Sequence, residues 1–78
     1  MKSNQMFVAD ASTFTAKSGN AAFILQAVHY DRFDHIKAEG VFCSESVFQQ
    51  FSGPGIYDCE FVYGGGIQSM KKVQSITI

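Results

Sequence analysis

Seventy-eight residues are enough for one domain and for a core of limited size. Six Lys and Arg against seven Asp and Glu give a net charge of −1, which excludes the basic excess of a generic polyanion binder and leaves only the option of a local cationic patch. No apolar run approaches the roughly 20 residues that span a bilayer as a helix.

Two cysteines, Cys43 and Cys59, lack the close spacing of a redox or metal pair and read as reduced thiols. Nothing at the N-terminus resembles a signal peptide, so the expected location is the cytoplasm.

In chain order, Asn4 to Ala11 alternates weakly, with Met6 and Val8 on one side and Phe7 and Ala9 on the other. It reads as a first strand near an edge or dimer contact that Asp10-Ala11-Ser12 breaks. Phe14 to Lys17 resumes an extended pattern, and Ser18-Gly19-Asn20 tolerates the positive φ of a tight reversal. Ala22 to Tyr30 is almost continuously apolar and fits a strand buried on both faces or a short helix; its aromatic and β-branched residues favour the strand. Asp31 to Gly40 is the most polar stretch and reads as a loop, with a helical turn as the variant, followed by a short strand Val41-Phe42-Cys43.

Ser44 to Phe51 offers Ser44 or Ser46 as an N-cap and sets Val47, Phe48 and Phe51 on one helical face, predicting a short helix or 3₁₀ turn over an extended connection. Beyond Gly53-Pro54-Gly55, Tyr57, Cys59, Phe61 and Tyr63 share one parity while Asp58 and Glu60 take the other, as in a half-buried antiparallel strand. Gly64-Gly65-Gly66 marks a hairpin turn, and Ile67 to Ile78 folds back as its second strand. Met70, Ile76 and Ile78 share one parity and Val73 the other, which places a bulge at Lys71-Lys72. The fold class is therefore all-β.

Catalytic constellations are thin. His29 sits inside an apolar strand and His35 in a charged loop, and a Cys₂His₂ metal site has no paired spacing behind it. Asp58 and Glu60 read as solubilising, and the glycine run lacks the Lys-Ser/Thr of a phosphate loop. Neither an enzyme nor a cofactor is expected. A binding module is. Eight Phe and three Tyr exceed what so small a core must hold, and single-strand binding needs only aromatic faces for bases and a cationic path for phosphates. Phe23, Tyr30 and Phe33 are the aromatic candidates, each with core packing or a cap over the barrel end as its competing role. Lys17, Lys71 and Lys72 lie near turns or strands with no acidic residue within three positions, unlike Arg32 between Asp31 and Asp34.

Three pieces of the chain resemble the single-stranded-DNA-binding proteins of filamentous bacteriophages. The hairpin Phe14-Thr15-Ala16-Lys17-Ser18-Gly19-Asn20 is similar to that family's basic, glycine-containing wing. Ser52-Gly53-Pro54-Gly55-Ile56-Tyr57 is like the entry to its fourth strand, and the C-terminal hairpin carries a lysine pair near the family's basic residues. The chain departs from the pattern in Asn20-Ala21-Ala22, where further basic residues are usual, and in a longer, acidic second loop.

The resemblance implies a five-stranded antiparallel OB-like barrel with protruding hairpins. It also implies a symmetric homodimer through the C-terminal hairpin, and sequence-nonspecific coating of single-stranded phage DNA during replication. Lys17 would then be the wing cation, Phe23 a wing aromatic, Tyr30 a stacking tyrosine, and Lys71 and Lys72 phosphate contacts; Phe33 joins them as a loop aromatic. The alternative is a small β-barrel subunit whose aromatics bury a protein partner.

Overall fold

A computed structural model describes residues 4–31, 33–62 and 66–76. Five strands and one helical turn follow in the order β1 (Gln5–Thr15), β2 (Ala21–Tyr30), β3 (Ile36–Cys43), α1 (Glu45–Phe48), β4 (Gly55–Phe61) and β5 (Ile67–Ser75). All pairings are antiparallel, in one sheet of order β3-β2-β1-β4-β5. The all-β, five-stranded arrangement expected from the sequence is present. The sheet is not closed into a barrel: β3 and β5 are its two edges.

The first strand is the centre of this sheet and not its edge. Gln5 to Val8 pairs with Asp58 to Gly55 on one side, and Met6 to Thr15 pairs with His29 to Ala21 on the other. Its weak alternation has a physical reason, since a central strand carries apolar residues on both sides: Met6 and Val8 are buried, and Phe7 is half-buried on the opposite face. Nor does Asp10-Ala11-Ser12 end the strand. Val8 faces Ala27 while Asp10 faces Gln26, so Ala9 is an extra residue, and the resulting bulge bends the strand without stopping it. From Asp10 onward β1 pairs with β2 alone, and the β1–β2 hairpin runs on past β4 to a turn in which Gly19 has φ +87°.

The polar stretch after Tyr30 is also reassigned. Only Asp31 to His35 forms the loop, and Ile36 to Gly40 is already strand, paired with Tyr30 to Gln26. An edge strand tolerates charge because its side chains reach water, and Lys37 and Glu39 alternate with Ile36 and Ala38 as a pleat requires. β2 is a strand as expected, though only Leu25 and Ala27 are fully buried and Gln26 is exposed. The helix is a single turn capped by Ser44, whose Oγ accepts the Val47 amide at 3.3 Å.

On β5 the bulge falls at Val73, one residue past the lysine pair, between Lys72 opposite Tyr57 and Gln74 opposite Ile56. A second shift leaves Gln68 unpaired between Ile67 and Ser69. The Gly64-Gly65 part of the expected turn and the Tyr63 and Ile78 parities lie outside the described residues.

The core occupies one face of the sheet. Met6, Val8, Leu25, Ala27, Tyr57, Cys59, Ile67 and Met70 converge there, and Val47 of α1 completes the cluster. Each fully buried aliphatic side chain among them stabilises the fold by roughly 1.5–3 kcal/mol. Tyr57 is the largest and is wholly buried. Its hydroxyl donates to the Gly53 carbonyl at 2.7 Å and accepts the Ser52 amide at 2.8 Å, tying the helix exit to the start of β4. Gly53 has φ +102°, which favours glycine, and a Cβ on Gly55 would collide with the Gln74 carbonyl of β5.

Tyr57→Phe keeps the ring and strands two backbone groups in this corner, so denaturant unfolding should show a loss of roughly 1–3 kcal/mol. An unchanged unfolding midpoint would show that water replaces the hydroxyl at no cost.

Candidate nucleic-acid interface

The register fixes what lies on the other face. Opposite Leu25 and Ala27, the side chains of Ile24, Gln26 and Val28 point away from the core, beside Phe7 and Phe14 of β1 and Ile36, Ala38 and Phe42 of β3. Among the described residues no helix or strand covers this outer face. Phe42 is 65% exposed, Ile36 67% and Phe14 46%. Ala22, opposite Phe14, and Ile24, opposite Phe42, lie between the two rings on β2. The small Ala22 leaves space for the rings to meet across that strand, with centroids 6.2 Å apart and planes tilted by 60°. Beside them Ala9, Gln26, Ala27, Val28, Ala38 and Glu39 line a shallow hollow of about 230 Å³.

The six residues singled out by sequence do not converge on one spot. Lys17 is exposed in the β1–β2 turn, at the same end of the sheet as the Phe14–Phe42 pair. Phe23 takes the inner parity of β2 and is half-buried, its ring 5.1 Å from Phe48 of the helix. Its environment is therefore the core margin, the competing role weighed for it above. Tyr30 is half-buried at the opposite end of β2, opposite Ile36. Phe33 is 65% exposed in the loop, 6.4 Å from the His35 ring, with its amide donating to Asp31. Donation from the His35 and Phe33 amides holds the Asp31 carboxyl below its ordinary range and so organises this loop.

The two lysines of β5 separate. Lys71 is exposed opposite Asp58, whose carboxylate accepts from the Gln5 amide. Lys72 turns inward, its ammonium donating to the Ser52 carbonyl and lying 5.8 Å from the Tyr57 ring centre, so it braces the Gly53 corner. Phe14 and Phe42, an exposed pair of adjoining phenylalanines, were missed. Their signal was a shared parity with Ile24 across three strands, which becomes readable only once β3 is known to begin at Ile36.

No other chemistry gathers elsewhere among the described residues, where no group of three metal-ligating side chains occurs. His29 Nε2 lies 2.7 Å from Glu39 Oε1, and this contact, with Lys37 Nζ at 3.3 Å from the other oxygen, holds the Glu39 carboxyl below its usual range. The three side chains form a polar cluster on the inner parity of β2 and β3. Burial pushes the Cys59 thiol up to about 11 and raises that of Cys43. No helix is long and apolar enough to cross a membrane among the described residues.

Comparison with family models, with curated proteins and with solved structures finds no match to this chain.

The thiols should be poor nucleophiles, because only the thiolate reacts. Near pH 8 an alkylating reagent should modify Cys43 slowly and leave Cys59 untouched until denaturant is added. Rapid native alkylation of Cys59 would contradict its burial.

Proposed function

We propose that this chain is a non-catalytic, sequence-nonspecific binder of single-stranded DNA that works through the outer face of β1, β2 and β3. The observation that carries this reading is the exposed Phe14–Phe42 pair beside Lys17. Two rings at the surface offer stacking area for unpaired bases, each worth roughly 1–3 kcal/mol. The lysine at the hairpin tip offers a phosphate contact, and the adjacent hollow, lined by three alanines with Gln26, Val28 and Glu39, adds room for a base or sugar. The similarity of the turns to those of filamentous phage proteins supports DNA as the ligand and replicating phage DNA as its setting.

Within the same reading the residues divide by position. Lys17 and Lys71 remain cationic contacts, and Tyr30 and Phe33 extend the aromatic surface toward the far end of the sheet. Phe23 and Lys72 support the fold behind it. A second reading, a module that buries a protein partner, is favoured by the net charge of −1 and by aliphatic exposure at Ile36.

Titration with oligo(dT) at low salt separates the two. Phe14→Ala and Phe42→Ala should each weaken binding by roughly 1–3 kcal/mol and leave the thermal melt nearly unchanged. Phe23→Ala should do the reverse: it should approach the ~3–5 kcal/mol stability loss of a truncated core phenylalanine, reduced by its partial exposure, at intact affinity per folded molecule. Two cations at roughly 0.7 counterions per contact give a shallow salt dependence, and duplex DNA should bind more weakly because its bases are already stacked. Wild-type affinity in both the Phe14 and Phe42 variants, or no binding at all, contradicts the proposal.

A further inference from the structure

The two edges of the sheet are built differently. β5 carries two register shifts, at Val73 and Gln68, and two adjacent lysines. Bulges and edge lysines are the features that prevent one strand from pairing with another. β3 lacks the first of these protections, having no bulge, and its one lysine, Lys37, is paired with Glu39. Its pairing with β2 is regular over eight positions from Ile36 to Cys43, every residue of it is at least partly exposed, and its apolar side chains include the exposed Ile36 and Phe42. Its charges cancel, because Lys37 and Glu39 lie two residues apart and 3.3 Å from each other.

We propose that the open edge of β3 is an interface with a second copy of this chain, joined antiparallel about a two-fold axis at Ala38. The axis lies perpendicular to the sheet, so paired residues must share a face, and only a few registers remain. Centred on Lys37 or Glu39, the pairing sets like charges directly opposite each other. Centred on Gly40, it sets Glu39 against Val41 and Lys37 against Cys43, leaving both charges without an opposite. Centred on Ala38, it sets Lys37 against Glu39 of the second copy twice over, and Ile36 against Gly40, which has no side chain of its own to oppose it. The small Ala38 meets itself on the axis.

Five positions, Ile36 to Gly40, pair in this register, an ordinary strand length. The result is one ten-stranded sheet whose outer faces are continuous. An isologous contact of this kind needs no second patch. It stands independently of nucleic-acid binding, and it places the dimer contact on β3 instead of the C-terminal hairpin.

Sedimentation equilibrium at micromolar concentration tests it through charge reversal. The wild-type chain should have the mass of two chains. Lys37→Glu and Glu39→Lys should each give a one-chain mass, because each sets like charges across the axis, and an equimolar mixture of the two variants should return to the two-chain mass as a heterodimer. Val73→Glu, on the β5 edge, should leave the dimer intact. Should Glu39→Lys fail to fold through loss of its His29 contact, Ala38→Cys carries the test: diamide should link two copies at that position. A monomeric wild type, a dimer broken by Val73→Glu and not by Lys37→Glu, a mixture that stays monomeric although both variants are folded, or unlinked Ala38→Cys chains would overturn the proposal.

Discussion

Only one face of this sheet is covered among the described residues. Among the described residues the single helix is a four-residue turn, and it lies on the inner side, where Val47 joins the buried cluster. Sheet curvature contributes the rest: β4 and β5 bring Tyr57, Cys59, Ile67 and Met70 against the side chains of β1 and β2. No described residue outside the sheet reaches the outer side in that way. A strand alternates its side chains between faces, so every residue that builds the core leaves a neighbour exposed. Here several of those neighbours are large and apolar, and an exposed apolar surface of that kind marks a binding site more often than an accident of packing.

The bent central strand makes this arrangement possible. Gln5 to Val8 holds β4, and beyond the Ala9 bulge the same strand serves only β2. The hairpin that results extends past the core, carrying Phe14 and Lys17 away from the packed cluster. The corner at Gly53 sets the other half. Tyr57, Lys72 and two backbone groups of Ser52 and Gly53 meet there, and the absence of a Cβ on Gly55 allows β5 to approach. One sequence segment, Ser52 to Tyr57, thus fixes where β4 begins and which residues of β5 face inward.

Much of this was legible in the sequence. The Ser18-Gly19-Asn20 turn, the Ser44 cap, the parity of Tyr57 and Cys59 and the return of the C-terminal strand each have a local cause that a single chain displays. What was hidden depended on neighbours. Asp10 reads as a breaker until its bulge and its solvent-facing side are known, and Lys37 and Glu39 read as loop residues until their strand proves to be an edge. With β3 shortened to three residues, Phe42 had no parity partners, and the outer aromatic pair could not be assembled. Phe23 sits on a strand where either parity is apolar, so composition could not say which side it takes. Lys72 looked equivalent to Lys71 because both are lysines beside one turn, although adjacent strand positions take opposite faces and Lys72 shares the inner parity of Met70.

The proposed function thus rests on one surface, the outer face of β1, β2 and β3. Backbone amide shifts, followed by NMR during titration with oligo(dT), report on it residue by residue and without substitution. Binding through that face should perturb Phe14, Lys17, Ile24, Gln26, Ala38 and Phe42 and leave the amides of Met70 and Val47 unmoved. Perturbations confined to β4, β5 or the helix, or a spectrum that oligo(dT) leaves unchanged, would contradict it.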